Sequence, residues 1–503
     1  MKNILEMLEY SAERFPDKYV FRDENTDITY AEFLTTAKSI GTKIAENGII
    51  NNPIAVIAER SVGCLAAMFG VLYSGNFYTV IDSEMPPERV KAIFETLKPA
   101  AVVVTKSCLS LLKKLDFNGK VVNYETANDC PVDNNLLGKI RENMIDTFPA
   151  YALFTSGSTG IPKGAVVSHK AVISYVKWYA DTFEINKNTV FGSQTPFYFS
   201  MSVSDVFSTV YAGAELNIIP KMLFSFPMKL LEFLNERKVN TIYWVPSALC
   251  IIANWRVLDY GELKFIKKVL FAGEVMPTRQ LNYWIEKLPG AMFANLFGPT
   301  ETTDICTYYI VDRKFSDGET LPIGRACDNC DVFVLKEDGT KAKTGEEGEL
   351  YARGSFLAMG YYNNPEKTAA AFVQNPLNSA YPETVYKTGD LVKYNEKGEL
   401  IYISRIDFQI KHMGYRIELG EIEAAASALD CVTACAAVYD SDRDKIILVY
   451  EGKKREITDI LSELRVRLPE YMMPQTVKRI KAMPHNANGK IDRKLLQNNF
   501  EEI

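Results

Sequence analysis

The residues best suited to chemistry stand in one loop, Thr155-Ser156-Gly157-Ser158-Thr159-Gly160-Ile161-Pro162-Lys163-Gly164. The apolar run Tyr151 to Phe154 enters it and Ala165-Val166-Val167 leaves it, so the loop joins two strand-like segments. Hydroxyls and glycines suit phosphate oxygens, because glycine lets the backbone approach closely and turn several N–H groups inward. Lys163 adds a mobile point charge for the same oxygens. The string is not a Walker loop: Ile161 and Pro162 follow Gly160, and no Lys-Ser/Thr pair opens a helix. Composition alone would equally describe a plain turn. Other catalytic groups are scarce. The chain has three histidines, His169, His412 and His485, and no Gly-x-Ser-x-Gly elbow on a strand-to-helix turn. Cys327-x-x-Cys330 and Cys431-x3-Cys435 each lack a second ligand pair and read as buried or incidental thiols.

Positioning such a loop takes a scaffold. With 503 residues, 47% hydrophobic and 24% charged, the chain is expected to form about two to four globular domains. A formal net charge of -6 argues against nucleic-acid and anionic-membrane partners. Glu6, Glu9 and Glu13 interrupt the apolar positions Ile4, Leu5 and Leu8, so the start of the chain is no signal peptide. No apolar run reaches the length of a membrane span. Nine cysteines, an odd number, suggest reduced thiols in a cytoplasm.

The elements alternate. Ile54 to Ala58, Phe77 to Ile81 and Ala101 to Thr105 are continuous apolar runs, separated by an apolar helix from Val62 to Ser74 and another opened by Pro86-Pro87. Such runs belong to parallel strands covered on both faces. Residues 125–145 are polar and weakly patterned and read as a surface connection. A helix from Ala171 to Phe183 follows, then a second alternating series with strands at Leu216–Ile219, Thr241–Val245, Val269–Ala272 and Met292–Asn295. From Ile323 to Tyr402 short strands and turns suggest a small antiparallel barrel or sheet. The fold class is therefore α/β: a large N-terminal domain of two doubly wound sheets plus a small β-barrel, spanning 1–404, and a small, mobile α+β C-terminal domain, 405–503.

Taken in order, the loop and six further stations carry a resemblance that covers nearly the whole chain. The sequence resembles the acyl-adenylate-forming superfamily of acyl-CoA synthetases, luciferases and the adenylation domains that feed carrier proteins. The resemblance implies that Thr155, Ser156, Gly157, Ser158, Thr159, Gly160 and Lys163 hold the phosphates of ATP. It implies an adenine and Mg²⁺ segment at Asn295-Leu296-Phe297-Gly298-Pro299-Thr300-Glu301-Thr302. There Asn295, Phe297 and Gly298 would meet the nucleotide, Thr300 the α-phosphate and Glu301 the metal. Asp390, in Tyr386-Lys387-Thr388-Gly389-Asp390, would take the ribose hydroxyls together with Arg405. Gly348-Glu349-Leu350 and Gly360-Tyr361 resemble a structural station, and Asp407 the hinge, with Ser404 in place of the usual glycine. Lys490, in Asn488-Gly489-Lys490-Ile491-Asp492-Arg493-Lys494, resembles the mobile catalytic lysine, which offsets charge as a carboxylate attacks the α-phosphate. Catalysis would rest on Lys490, Glu301 and Thr155.

The implied reaction has two halves. A carboxylic acid and ATP give acyl-adenylate and pyrophosphate; rotation about Asp407 then withdraws Lys490 and admits a thiol. No Gly-Gly-x-Ser station follows Arg493, so the thiol is expected on a separate phosphopantetheinylated carrier protein. Arg405 to Leu419 and Leu468-Pro469-Glu470-Tyr471-Met472-Met473-Pro474 resemble stand-alone amino-acid adenylation enzymes and D-alanine–carrier-protein ligases most. A ligase using free CoA and an aryl-acid adenylating enzyme are the alternatives. By motif spacing the acid pocket comprises Ser200, Met201, Ser204, Tyr243, Leu270, Ala272, Leu296, Asp304, Ile305 and the incoming Lys490. One departure bears on the substrate: the family's usual Phe-Asp-x-Ser, whose Asp pairs with an α-ammonium, is Phe199-Ser200-Met201-Ser202 here. Asp304 is the one carboxylate among the pocket positions. It is either a relocated anchor, suited to a β- or γ-amino acid, or a solvated helix residue.

Overall fold

The computed structural model describes residues 1–503 apart from 116, 157–160, 317–318, 407–408, 442, 485–490, 492 and 500–503. It falls into two compact units. One comprises Met1–Ser83, Lys98–Leu153 and Gly164–Ile406; the other comprises Glu84–Leu97 with residues 154–163 and 407–503.

The larger unit is built on wide sheets. A nine-stranded sheet runs, in spatial order, Arg325–Ala326, Thr307–Ile310, Met292–Phe297, Lys268–Ala272, Thr241–Trp244, Val190–Ser193, Glu215–Ile218, Tyr19–Arg22 and Asp27–Thr29. Its centre is parallel, and antiparallel strands close both edges. Strand Pro53–Ala58 is buried at every position, as its unbroken apolar run requires, and pairs in parallel with Phe77–Asp82 and Ala101–Val104. These belong to a seven-stranded sheet. Residues 330–405 form a third, five-stranded antiparallel sheet. The stretch 125–145, expected to be a surface connection, holds helical residues instead: Tyr124–Asn128 and Asn134–Glu142. Side-chain caps account for both, Asn123 accepting from the Thr126 N–H and Asp133 from the N–H groups of Asn135 and Leu136. Leu137 and Ile140 supply the short apolar stripe.

The smaller unit has its own apolar core, with Ile417, Leu419, Ile422, Leu448, Ile460, Leu464 and Met472 at its centre. Strands Val432–Asp440, Lys445–Gly452 and Thr476–Ile480 make one sheet, and Gln409–His412 with Tyr415–Glu418 make a hairpin. Among the described residues no helix is long and apolar enough to cross a membrane. All nine cysteines are free, and burial pushes the Cys330 thiol up to about 12.

Helix Pro87–Leu97 carries Arg89 into this unit, where its guanidinium pairs with Glu421; both side chains are buried. Removing one partner strands a buried charge, at about 3–5 kcal/mol, whereas replacing both can be near neutral. Arg89→Met should therefore weaken amide-exchange protection in helix Leu419–Ser427 by that amount. The double change Arg89→Met with Glu421→Leu should restore most of it.

Candidate active site

Parallel pairing in the nine-stranded sheet sets Tyr243 beside Leu270 and Ala272 beside Leu296. Partners directly opposite share a face, as do alternate residues of one strand. Tyr243, Leu270, Ala272 and Leu296 thus line one face together. All four are buried. Helix Met201–Ala212 supplies Met201 and Ser204, with Ser200 at its N-cap position.

Asp304 is neither helical nor solvated. It follows the short 3-10 turn Thr300–Thr302 and is 1% exposed. Its Oδ2 accepts hydrogen bonds from Ser204 Oγ at 2.7 Å and from the hydroxyls of Tyr175 and Tyr243 at 3.1 Å each. Tyr175 and Ser204 are themselves 2.6 Å apart, so three elements converge on one carboxylate oxygen. Burial raises the Asp304 carboxyl to about 6, against the lowering effect of Ser204, Tyr175, Tyr243 and Ser200.

The backbone around Asp304 is constrained. A Cβ on Gly298 would lie 2.4 Å from Ile305 Cα and 2.6 Å from the Asp304 carbonyl oxygen. Only a glycine permits that approach, and Cys306 N–H closes the loop on the Phe297 carbonyl at 2.9 Å. Thr303 sits at φ 69°, an outlier for a β-branched residue. Its hydroxyl donates to the Phe356 carbonyl at 2.7 Å, and its own carbonyl accepts from Tyr151.

Glu301 is fully buried and accepts a 2.6 Å hydrogen bond from the Tyr361 hydroxyl. Its donor set fits magnesium in part: one carboxylate, to which substrate phosphates would add the remaining oxygens. Among the described residues no group of three His, Cys, Asp or Glu gathers that could hold a metal ion. Thr300 Oγ1 donates to Ser200 Oγ at 3.4 Å. Asn295 Nδ2 donates to the Pro322 carbonyl at 2.8 Å, and the buried Phe297 ring lies 5.8 Å from that of Tyr402. Asp390 and Arg405, both assigned to the ribose by sequence, pair with each other at 3.0 Å, and Arg405 also donates to the Thr388 carbonyl.

In the smaller unit Thr155 Oγ1 donates to the Lys163 carbonyl at 3.5 Å. Ser156 Oγ donates to the Arg416 carbonyl at 2.8 Å and accepts from the Glu418 N–H at 3.2 Å. Gly157, Ser158, Thr159, Gly160, Asp407 and Lys490 lie outside the described residues. Sequence reasoning missed Tyr175, whose hydroxyl engages Asp304, and it placed Tyr361 in a structural station without its hydrogen bond to Glu301.

The AMP-binding enzyme family matches residues 8–362. The chain belongs to that family. Its members are ATP-dependent adenylating ligases. The chain is 30% identical to zwittermicin A synthase ZmaJ of Bacillus cereus, over 98% of this chain and 94% of that one. It is 31% identical to a D-alanine–D-alanyl carrier protein ligase of Bacillus cereus, over 98% of both. Tyrocidine synthase 1 of Brevibacillus parabrevis matches at 30% over 98% of this chain and 45% of its own length. Among solved structures, the Vibrio cholerae adenylation domain AlmE, in complex with glycyl-adenosine-5'-phosphate, superposes with a TM-score of 0.85 over 99% of this chain and 98% of that one; at 22% identity it shows the fold. This AMP-binding enzyme thus shares its architecture with adenylation domains.

The raised Asp304 carboxyl has a consequence for stability. Unfolded, it titrates near 3.9; folded, near 6. The native state therefore holds the extra proton in between, and the contribution of Asp304 to stability falls as pH rises through that window, by about 3 kcal/mol in all. Asp304→Asn removes the slope. Thermal melts should show the variant gaining on wild type between pH 4.5 and 7, with the difference flat above pH 7.

Proposed function

We propose that this enzyme adenylates an amino acid whose amine lies away from its carboxyl group, a β- or γ-amino acid, and passes the acyl group to the phosphopantetheine thiol of a separate carrier protein. The observation that carries the reading is the exchange of charge across the pocket. Ser200 stands where the family usually has the amine-binding Asp, and the buried Asp304 carboxylate stands elsewhere in the same pocket set. Near neutral pH a carboxyl that titrates at about 6 is largely ionised. An ammonium brought to it in a desolvated site gains a charge-assisted bond that a neutral ring substituent does not.

The chain's own residues then divide the work. The loop from Thr155 to Lys163 holds phosphates, with Thr155 and Lys163 at its ends. Asp390 and Arg405 hold the ribose, Asn295, Phe297 and Gly298 meet the adenine, and Thr300 the α-phosphate. Glu301, oriented by the Tyr361 hydroxyl, holds magnesium, which when bound offsets phosphate charge. Lys490 steadies the charge that develops as the acid attacks phosphorus, and Asp407 is the pivot between half-reactions. The likeness to a D-alanine–D-alanyl carrier protein ligase supports carrier loading.

ATP–pyrophosphate exchange tests the substrate. β-Alanine should exceed D-alanine, L-alanine and 4-hydroxybenzoate, and Asp304→Asn should cost about 3–5 kcal/mol in kcat/KM for it. Ser200→Asp should move the preference toward α-amino acids. Wild type preferring D-alanine, with Asp304→Asn indifferent, would refute the displaced amine. A preference for 4-hydroxybenzoate would favour the aryl-acid reading, and acylation of free CoA in place of a carrier the CoA-ligase reading.

Lys490→Ala separates the two half-reactions. Adenylate formation should slow by about two to three orders of magnitude, while thioester formation from supplied acyl-adenylate keeps most of its rate. Rapid-quench measurement of each step checks this, and equal damage to both would remove Lys490 from its assigned role.

A further inference from the structure

In the smaller unit, the hairpin of strands Gln409–His412 and Tyr415–Glu418 turns on two residues, Met413 and Gly414, between the paired His412 and Tyr415. Both turn residues have positive φ, 51° and 80°, the mark of a type I′ turn. Gly414 adopts that conformation freely. Met413 does not: such turns favour Asn, Asp or Gly there, and at 54% exposed the methionine has little packing to offset the cost. A short two-stranded ribbon on a strained turn needs an anchor outside itself.

His412 supplies one. Its side chain is 3% exposed, and its Nδ1 donates to Asp444 Oδ1 at 2.7 Å. The Tyr439 hydroxyl donates to the same oxygen, and the Tyr439 ring meets the imidazole edge-on, with centroids 5.9 Å apart. Asp444 sits at φ 52° between strands Val432–Asp440 and Lys445–Gly452, and its carboxylate is half exposed. The imidazole Nε2 is buried without a partner among the described residues, so Asp444 is the polar group there that orients the ring. This anchor holds the hairpin's register. Turn geometry decides which residues oppose each other, and every second pair turns its N–H and C=O outward. Counted from the His412–Tyr415 pair, the outward residues of strand Tyr415–Glu418 are Arg416 and Glu418. Ser156 bonds those two, the Arg416 carbonyl and the Glu418 N–H. A slip of one residue would turn both groups inward and release the serine.

We infer that His412, held by Asp444 and Tyr439, is a positioning residue: it locks the register in which the hairpin ties up the Ser156 hydroxyl, and so restrains anion binding in the loop that begins at Thr155. This rests on the phosphate role proposed for that loop and adds its regulation. A hydroxyl bonded to the hairpin is one donor fewer for a phosphate oxygen. Loosening the turn therefore tightens anion binding, and firming the turn weakens it.

Calorimetric titration of the full chain with inorganic pyrophosphate and with ATP tests this. Asp444→Gly removes both hydrogen bonds and keeps the positive φ; it should strengthen pyrophosphate binding by about threefold to tenfold, a part of the bonds lost. Met413→Asn gives the turn the favoured Asn-Gly pair and should weaken binding by about threefold, a part of the strain relieved. Neither change should move the affinity when combined with Ser156→Ala. In ATP–pyrophosphate exchange the KM for ATP should follow these shifts, while the KM for the carboxylic acid stays at wild type. Shifts of one sign in both variants, no shift in either, or shifts that persist with Ser156→Ala would each overturn the register lock while leaving the loop's phosphate role standing. Pyrophosphate affinity untouched by Ser156→Ala and by Lys163→Ala alike would overturn that role, and the lock with it. Should Asp444→Gly fail to fold, Met413→Asn decides alone. Weaker binding that vanishes with Ser156→Ala supports the lock; unchanged or tighter binding overturns it.

Discussion

The pocket depends on keeping one carboxylate out of water. Asp304 is held by hydroxyls from helix His169–Thr182, helix Met201–Ala212 and strand Thr241–Trp244, which belong to different parts of the larger unit. Each donor lowers the cost of an ionised group in an apolar surround, and each is positioned only because the other elements are. The backbone shares that constraint. Gly298 gives up its side chain so that residues 304–306 can fold back, and Thr303 accepts a positive φ at the turn. Strain of this kind persists where surrounding contacts over-determine it, here the hydrogen bonds of Thr303 to Phe356 and Tyr151.

Much of this arrangement is legible in the sequence, for identifiable reasons. Unbroken apolar runs such as Ile54 to Ala58 announce strands covered on both faces, because no polar residue in them could be tolerated there. The fold class follows from their alternation with helices. Tyr243, Leu270, Ala272 and Leu296 were placed together by motif spacing, and the register of three adjacent strands sets them on one face. What stayed hidden is tertiary. Tyr175 and Tyr179 lie one turn apart on an apolar helix face, the ordinary signature of core, and nothing local says that one hydroxyl meets a carboxylate 129 residues away. Tyr361, legible only as part of a structural station, holds Glu301 from a two-residue strand, and nothing local shows that contact.

The segment 124–142 is the reverse case. Its polarity conceals helices because the caps that start them, Asn123 and Asp133, are also common turn residues, and only Leu137 and Ile140 mark the buried side. Asp390 and Arg405 show a further limit. Each is individually suited to a ribose, yet side chains chosen for the same ligand are also chosen for each other. In the ribose role proposed for them, their pairing would be a form of preorganisation, since a fixed carboxylate loses less entropy when a diol arrives.

Ser156 has a different consequence. Its single hydroxyl proton points at the Arg416 carbonyl, and its oxygen takes the Glu418 N–H. A phosphate oxygen is an acceptor, and a hydroxyl whose proton is committed to a carbonyl has none left to offer it. On the phosphate role proposed for the loop that begins at Thr155, the hairpin Gln409–His412 and Tyr415–Glu418 and a bound anion would compete for one proton. By thermodynamic reciprocity, whatever factor the hairpin subtracts from anion affinity, the anion subtracts from the hairpin's hold. On that proposal one serine couples anion binding to the hydrogen bonds that hold the hairpin.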